Sequence, residues 1–112
     1  MTDIQSNGAP APISPRDRKM YEQEFKHAAT LFQQALDSYA KSDNPYQKEE
    51  FKEVMDKAMR VLNETAQELM RKELLNQNQK IANDYATYQQ DGAEKTQAKL
   101  QSDLEKAKRS VG

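Results

Sequence analysis

The longest stretch of the chain without an internal glycine or proline covers residues 45–90 and reads PYQKEEFKEVMDKAMRVLNETAQELMRKELLNQNQKIANDYATYQQ. Most of its residues are good helix formers, such as Glu, Lys, Gln, Leu and Ala. The apolar residues recur at steps of three and four, apart from a step of five between Leu69 and Leu74, and this spacing is typical of one face of an α-helix. The stretch predicts one long helix, which at ~1.5 Å per residue would be about 68 Å long and would need partners along its length.

A first helix is predicted over residues 14–42. Ser14 is a typical N-cap residue, and Pro15 suits the first position of a helix. From Tyr21 to Tyr39 the apolar residues alternate between steps of four and three, which is the heptad spacing of a coiled coil.

Asn44 and Pro45 mark the turn to the long helix, with residues 43–44 as the turn itself. Asn44 is a good N-cap, and Pro45 disfavours helical geometry in the residue before it. Gln47 completes an Asn-x-x-Gln capping box. So short a turn predicts that the two helices pack antiparallel. The predicted core of this hairpin is Phe25, Phe32, Leu36, Phe51, Met55, Leu62 and Leu69.

A second break is predicted at Asp91 and Gly92, because glycine interrupts the helical pattern and Asp91 with Glu94 resembles another capping box. The chain would then fold back as a shorter C-terminal helix over residues 93–109. Residues 14–112 are thus predicted to form a single all-α unit. It would be an antiparallel helical hairpin or coiled coil with a long central helix and a shorter C-terminal helix folding back.

This arrangement leaves part of the long helix for partners. By its length, the first helix reaches along the long helix only to about Glu73, and the last helix would cover the remainder on one side. An asparagine in the apolar stripe, as at Asn78, is typical of a position that fixes register or oligomeric state. We therefore expect an assembly surface formed by Leu74, Asn78, Ile81, Tyr85 and Tyr88.

Charge and composition exclude several classes of protein. Lys and Arg total 17 against 18 for Asp and Glu, so nucleic acid and anionic membranes are not expected partners. The absence of cysteine excludes disulfides and thiolate chemistry.

No apolar run approaches the ~18 residues of a transmembrane helix, and the N-terminus lacks the pattern of a signal peptide. Residues 1–13 mix glycine and proline with polar residues and are expected to be disordered. We expect a cytoplasmic protein, with secretion independent of a signal peptide as an alternative.

No group of residues has the spacing of a catalytic, cofactor or metal site. His27 is the only histidine, and without cysteine or paired carboxylates it is expected to be an ordinary surface residue. Glu49, Glu50 and Glu53 gather at the start of the long helix, where the helix dipole favours carboxylates. A phosphate-binding glycine loop and a Ser/His/Asp set are also missing. The sequence therefore predicts a protein that is not an enzyme and needs no cofactor.

The segment ALDSYAKSDNPYQKEEF, residues 35–51, resembles the small needle-forming subunits of bacterial type III secretion systems. The resemblance covers the first hairpin and implies a subunit that polymerises into a hollow filament and is bound by small helical chaperones before export. Such subunits end near the position of Asp84, whereas this chain continues with another helix, so a related secretion component or a chaperone is an alternative. The matching residues are Ala35, Leu36, Ala40, Lys41, Asn44 and Pro45.

Two functions are left open by the sequence. One is a non-enzymatic structural subunit that assembles with itself, such as a component of the type III secretion apparatus. The other is a small helical chaperone or adaptor that binds a helix of a partner protein stoichiometrically. The expected partner is therefore the chain itself or another helical protein, with no nucleic acid and no insertion into a membrane.

Overall fold

The structure, a computed structural model, describes residues 13–111. The predicted all-α class is confirmed for this part of the chain. The segment predicted to be disordered, residues 1–13, lies outside the described residues except for Ile13, which is half-buried against the core. The described residues form four α-helices: α1 (Pro15–Lys41), α2 (Pro45–Leu69), α3 (Lys72–Asp91) and α4 (Glu94–Ser110).

The α1–α2 turn follows the prediction closely. The Ser14 hydroxyl caps α1 by accepting from the amide of Asp17 at 3.1 Å. The Asn44 side chain caps α2 by accepting from the amides of Tyr46 at 2.8 Å and Gln47 at 3.3 Å. The Asn-x-x-Gln capping box does not form, because the Gln47 side chain accepts a hydrogen bond from the hydroxyl of Ser42 instead. The two helices then pack antiparallel, as predicted.

The prediction of one unbroken helix over residues 45–90 was wrong. The chain breaks between α2 and α3 at Met70, which adopts the left-handed conformation with φ 54° and ψ 35°. The amide of Met70 closes α2 by donating to the carbonyls of Ala66 and Gln67. In the sequence, the break coincides with the five-residue step between the apolar residues Leu69 and Leu74. It separates two apolar stripes that a single straight helix could not bury on the same side.

Helix α3 folds back along α2 and does not extend it. The Asn78 amide donates to the carbonyl of Leu62 at 2.8 Å, and the Tyr85 hydroxyl donates to the carboxylate of Asp56 at 2.6 Å. From the first contact to the second, the residue number rises from 78 to 85 in α3 and falls from 62 to 56 in α2. The two helices are therefore antiparallel. The described chain measures 59 × 23 × 23 Å, so its width is that of two helices in each direction. The fold is therefore an up-down-up-down four-helix bundle.

The turn between α3 and α4 lies where it was predicted. Gly92 has a φ of 57°, and its amide donates to the carbonyl of Tyr88 at 2.7 Å. Asp91 is the last residue of α3, so it is not the N-cap of α4; its carboxylate accepts from the amide of Ala93 at 2.9 Å and from the hydroxyl of Thr96 at 3.0 Å. The carboxylate thereby ties the turn to the first turn of α4.

Helix α4 closes the bundle by packing beside α1. The Gln33 side chain donates to Glu105 at 3.2 Å and accepts from Lys108 at 3.0 Å, while the Gln33 carbonyl accepts from Gln101 at 3.0 Å. The expectation that α4 would follow α1 end to end along one long helix was therefore wrong. Because α3 turns back, α4 has both α1 and α3 as neighbours.

Most of the residues predicted to form the core of the first hairpin are buried in the structure. Phe25, Phe32, Leu36, Met55, Leu62 and Leu69 are buried, whereas Phe51 is half-buried at the edge. The ring of Phe32 contacts the ring of Tyr85 edge-on, with centroids 5.0 Å apart, so α1 and α3 meet across the bundle axis. Helix α4 contributes Leu100, Leu104 and Ala107.

Candidate functional site

The residues predicted to form an assembly surface lie inside the bundle. All five are at most 7% exposed: Leu74, Asn78, Ile81, Tyr85 and Tyr88. Helix α3 turns this stripe toward α1, α2 and α4, so the chain covers it without a second molecule. The stripe therefore cannot serve as the exposed assembly surface that the sequence predicted. Asn78 does fix the register of α3, but against α2 of the same chain.

An exposed apolar groove runs along the opposite face of the α1–α2 pair. Its central part has a volume of about 520 Å³. Small residues at Ala28 and Ala58 form the floor, and Leu31, Val54 and Val61 form the walls. Leu31 is 37% exposed and Val54 is 38% exposed, so the walls remain open to solvent. We call this surface the α1–α2 groove.

The groove continues in both directions from this centre. Toward the α1–α2 turn it is lined by Gln34, Ser38 and Phe51, together with Leu31 and Val54. Toward the start of α1 it is lined by residues that include Tyr21, Glu24, Val61, Glu64, Thr65 and Glu68. The seventeen steps of α1 from Tyr21 to Ser38 give the groove a length of roughly 25 Å. That length matches a helix of four to five turns.

The two ends of the groove differ in charge. The end near the α1–α2 turn has no charged lining residue, whereas the other end, which we call the acidic end, has Glu24, Glu64 and Glu68. The pKa of the Tyr21 phenol is raised above its ordinary value, chiefly by the carboxylate of Glu68. Partial burial of the ring and the carboxylates of Asp17 and Glu24 raise it further. The phenol thus lies in a region of negative potential.

Reasoning from the sequence missed this groove because it followed the main apolar stripes. Leu31, Val54 and Val61 lie beside those stripes, and none of them was included in the predicted core. The available signal was the seven-residue spacing of Val54 and Val61, which places two β-branched side chains on one further line of α2. In a helix whose exposed positions are mostly charged, such a line indicates a second apolar face.

Two buried carboxylates lie between α3 and α4. Asp84 is 8% exposed and Asp103 is 6% exposed. Lys99 approaches Asp84 at 3.5 Å and Lys80 approaches Asp103 at 3.5 Å, but the second carboxylate oxygen of each aspartate is buried without a hydrogen-bond partner. Burial raises the pKa of Asp103, and the neighbouring carboxylate of Asp84 raises it further, against the opposing effect of Lys80. This pair belongs to the α3–α4 contact and lies away from the α1–α2 groove.

His27 is exposed at the rim of the groove, as predicted for a surface residue. Within residues 13–111, no group of three or more His, Cys, Asp or Glu side chains is arranged to hold a metal ion. None of the helices in this part of the chain has both the length and the apolarity needed to cross a membrane.

Comparisons with known proteins give no relative for this chain. No protein-family model, no curated protein and no solved structure matches it. The resemblance of the first hairpin to needle-forming subunits therefore stays a prediction. The groove and its charges are the basis for a functional proposal.

Proposed function

We propose that this protein is a non-enzymatic helical adaptor or chaperone that binds an amphipathic helix of a partner protein in the α1–α2 groove. The observation that carries the proposal is the exposed apolar surface between α1 and α2, on a side where the described residues 13–111 place no third helix. Exposed apolar surface that is contiguous and rimmed by polar residues is a common mark of an interaction site. An amphipathic helix in an apolar groove is a common mode of peptide recognition.

The other face of the same two helices indicates what kind of ligand fits. There, α1 and α2 already pack against the helices α3 and α4 with large apolar side chains at helical spacing. The groove offers a similar arrangement, with Leu31 and Val54 on opposite walls and Val61 further along. A helix with apolar residues at intervals of three and four would place them between these walls.

A second copy of the chain is the competing occupant. It is the occupant expected for a self-assembling subunit, including the component of a type III secretion apparatus that the first hairpin resembles. The stripe that was expected to mediate such assembly is buried within the chain, and the groove is an exposed apolar surface where two copies would meet instead.

The test uses the purified full chain and a labelled synthetic peptide of about 18 residues, long enough to fill the groove. The peptide carries leucine on one helical face and glutamine or alanine elsewhere, and its binding is measured by fluorescence anisotropy. We expect Leu31→Asp to weaken binding by at least about tenfold, because it places a charge on the apolar wall. The matched control is Leu75→Asp on α3, since Leu75 is 39% exposed and Leu31 is 37% exposed.

The outcomes separate the occupants. Loss of peptide binding in Leu31→Asp with normal binding in Leu75→Asp supports the adaptor function. If the chain alone forms dimers or larger species that Leu31→Asp dissociates, the groove binds a second copy and the self-assembling subunit replaces the adaptor. If neither the peptide nor a second copy binds, the proposed function is wrong.

A further inference from the structure

We infer that the partner helix carries a cluster of lysine or arginine residues at the end that lies over Glu24, Glu64 and Glu68. The inference rests on the proposed function and adds the chemistry and the placement of the partner. It comes from the uneven distribution of charge along the groove, which apolar packing alone does not require.

Within the described residues, the three carboxylates at the acidic end form no ion pair, and Lys57, which lines the centre of the groove, is not paired with them. Among residues 13–111, the ion pairs do not include Glu24, Glu64 or Glu68. Some acidic residues on the surface of the bundle do have a basic partner, as Asp37 has Lys41 at 3.0 Å, whereas others, such as Glu49 and Glu53, also form none of these ion pairs. A cluster of like charges without a counter-charge costs free energy through mutual repulsion, and a bound cation relieves it.

The carboxylates also face the groove itself. All three line its end together with the Tyr21 ring, and the pKa of that phenol is raised by the charge of Glu68 and, to a smaller extent, by burial and the charges of Asp17 and Glu24. A basic side chain at the end of a bound helix would therefore approach several carboxylates at once. Long lysine and arginine side chains reach such rim positions while their aliphatic parts stay on apolar surface.

A second copy of this chain does not supply that charge if the two grooves pack face to face. In a parallel arrangement, the acidic end of one copy would meet the acidic end of the other. In an antiparallel arrangement, it would meet the end that is lined by Gln34, Ser38 and Phe51. In neither arrangement does the acidic end face a basic lining residue at the end of the other groove, since Lys57 lies at the groove centre, so electrostatic complementarity favours a different protein.

Three peptides that differ only at one terminus test the inference. They share the apolar face of the peptide described above and end in three lysines, three glutamines or three glutamates. We expect the lysine peptide to bind about three- to tenfold more tightly than the glutamine peptide at low ionic strength, and the glutamate peptide to bind most weakly. The difference should shrink as salt is added, because the rim charges are exposed.

A double variant locates the effect on the protein. Glu64→Gln with Glu68→Gln should remove most of the advantage of the lysine peptide and leave the glutamine peptide unchanged. The matched control is Glu49→Gln with Glu53→Gln, which removes the same charge from exposed positions of α2 outside the acidic end. Circular dichroism checks that all variants remain folded.

The results distinguish the two levels of the argument. If all three peptides bind equally and Leu31→Asp abolishes their binding, the inference on charge is wrong and the groove still binds a helix. The inference is equally wrong if both double variants reduce the advantage of the lysine peptide to the same extent. If none of the three peptides binds the natural chain, the proposed function and the inference are both wrong.

Discussion

The α1–α2 pair and the α3–α4 pair differ in what fills the space between their helices. Between α1 and α2, alanines such as Ala28 and Ala58 allow close approach, and the neighbouring positions are large and apolar. Between α3 and α4, the contacts include the ion pairs Lys80–Asp103 and Lys99–Asp84. Four buried side-chain oxygens of the described residues have no hydrogen-bond partner, and all of them belong to α3 or α4: Gln77 Oε1, Asn78 Oδ1, Asp84 Oδ2 and Asp103 Oδ2.

This difference separates two properties of the bundle. The α1–α2 pair is apolar on its inner face and, at the groove, also on its outer face, so it packs against α3 and α4 and still leaves apolar side chains exposed. The α3–α4 pair is held partly by buried charges, and the stability it contributes depends on their protonation. We expect substitutions in the first pair to act through packing and substitutions in the second to act through pH.

The largest effect is expected where the two pairs meet. Phe32 is fully buried and contacts Tyr85 across the bundle. Phe32→Ala should lower the free energy of unfolding by about 3–5 kcal/mol, because it removes a large buried ring and leaves a cavity. Urea denaturation followed by circular dichroism measures the change.

The adjacent residue provides the control for this prediction. Leu31 lies on the groove side of the same helix and is 37% exposed. Leu31→Ala should lower the free energy of unfolding by only about 1 kcal/mol, since more than a third of the side chain stays exposed and its truncation leaves no enclosed cavity. Equal losses in both variants would mean that the groove is a part of the core and not a free surface.

A smaller effect with a defined pH dependence is expected at Asp103. Its pKa in the folded state is raised from the ordinary value of 3.8. The folded state therefore keeps the proton to higher pH than the unfolded state, and stability falls as the pH rises through the raised pKa. Asp103→Asn should be more stable than the natural chain by about 1 kcal/mol at neutral pH, because the amide can donate to the unpaired oxygen of Asp84.

The measurement for Asp103→Asn is the difference in unfolding free energy between variant and natural chain at about pH 4 and about pH 7. The difference should grow toward neutral pH. Asp37→Asn serves as the control, because Asp37 is an exposed carboxylate on α1, and its effect should stay within about 0.5 kcal/mol at both values. A variant of Asp103 that is less stable at neutral pH would refute the unfavourable role of the buried carboxylate.

The smallest effects are expected at the two turns that flank α3. Both turns contain a residue in the left-handed region, Met70 with φ 54° and Gly92 with φ 57°. Met70→Gly should raise the free energy of unfolding by about 0.5–1 kcal/mol, and Gly92→Ala should lower it by a similar amount, because only glycine adopts this conformation without strain. Thermal unfolding of both variants checks the opposite signs. Changes of the same sign would contradict the conformational argument.

The sequence predicted features of the fold that depend on neighbouring residues. Ser14 and Asn44 were recognised as caps, and Gly92 as a breaker, because each acts on backbone groups within a few positions. The break at Met70 could not be recognised in this way, since methionine is a good helix former and its left-handed conformation is imposed by the packing of α3 on α2. The consequence was large, because an unbroken helix would have left the stripe from Leu74 to Tyr88 exposed.

The candidate site could be predicted only in part. The sequence predicted a helical interaction protein without catalytic residues, and it placed the interaction on the stripe of α3, which is buried in the structure. Leu31 and Val54 are ordinary residues in the sequence, and they form one surface only because α1 and α2 lie antiparallel. Glu24 and Glu68 are likewise far apart along the chain and meet only in the folded hairpin.

By itself, then, the sequence determined the helical class, the ends of the first hairpin and the core residues Phe25, Phe32 and Leu62, because capping and periodicity are local properties of a chain. The tertiary structure decided that α3 turns back at Met70, that the stripe of α3 is buried and that the α1–α2 groove stays open. These features depend on which apolar faces find each other in space, and the free energy of that burial is shared among residues distant in the sequence.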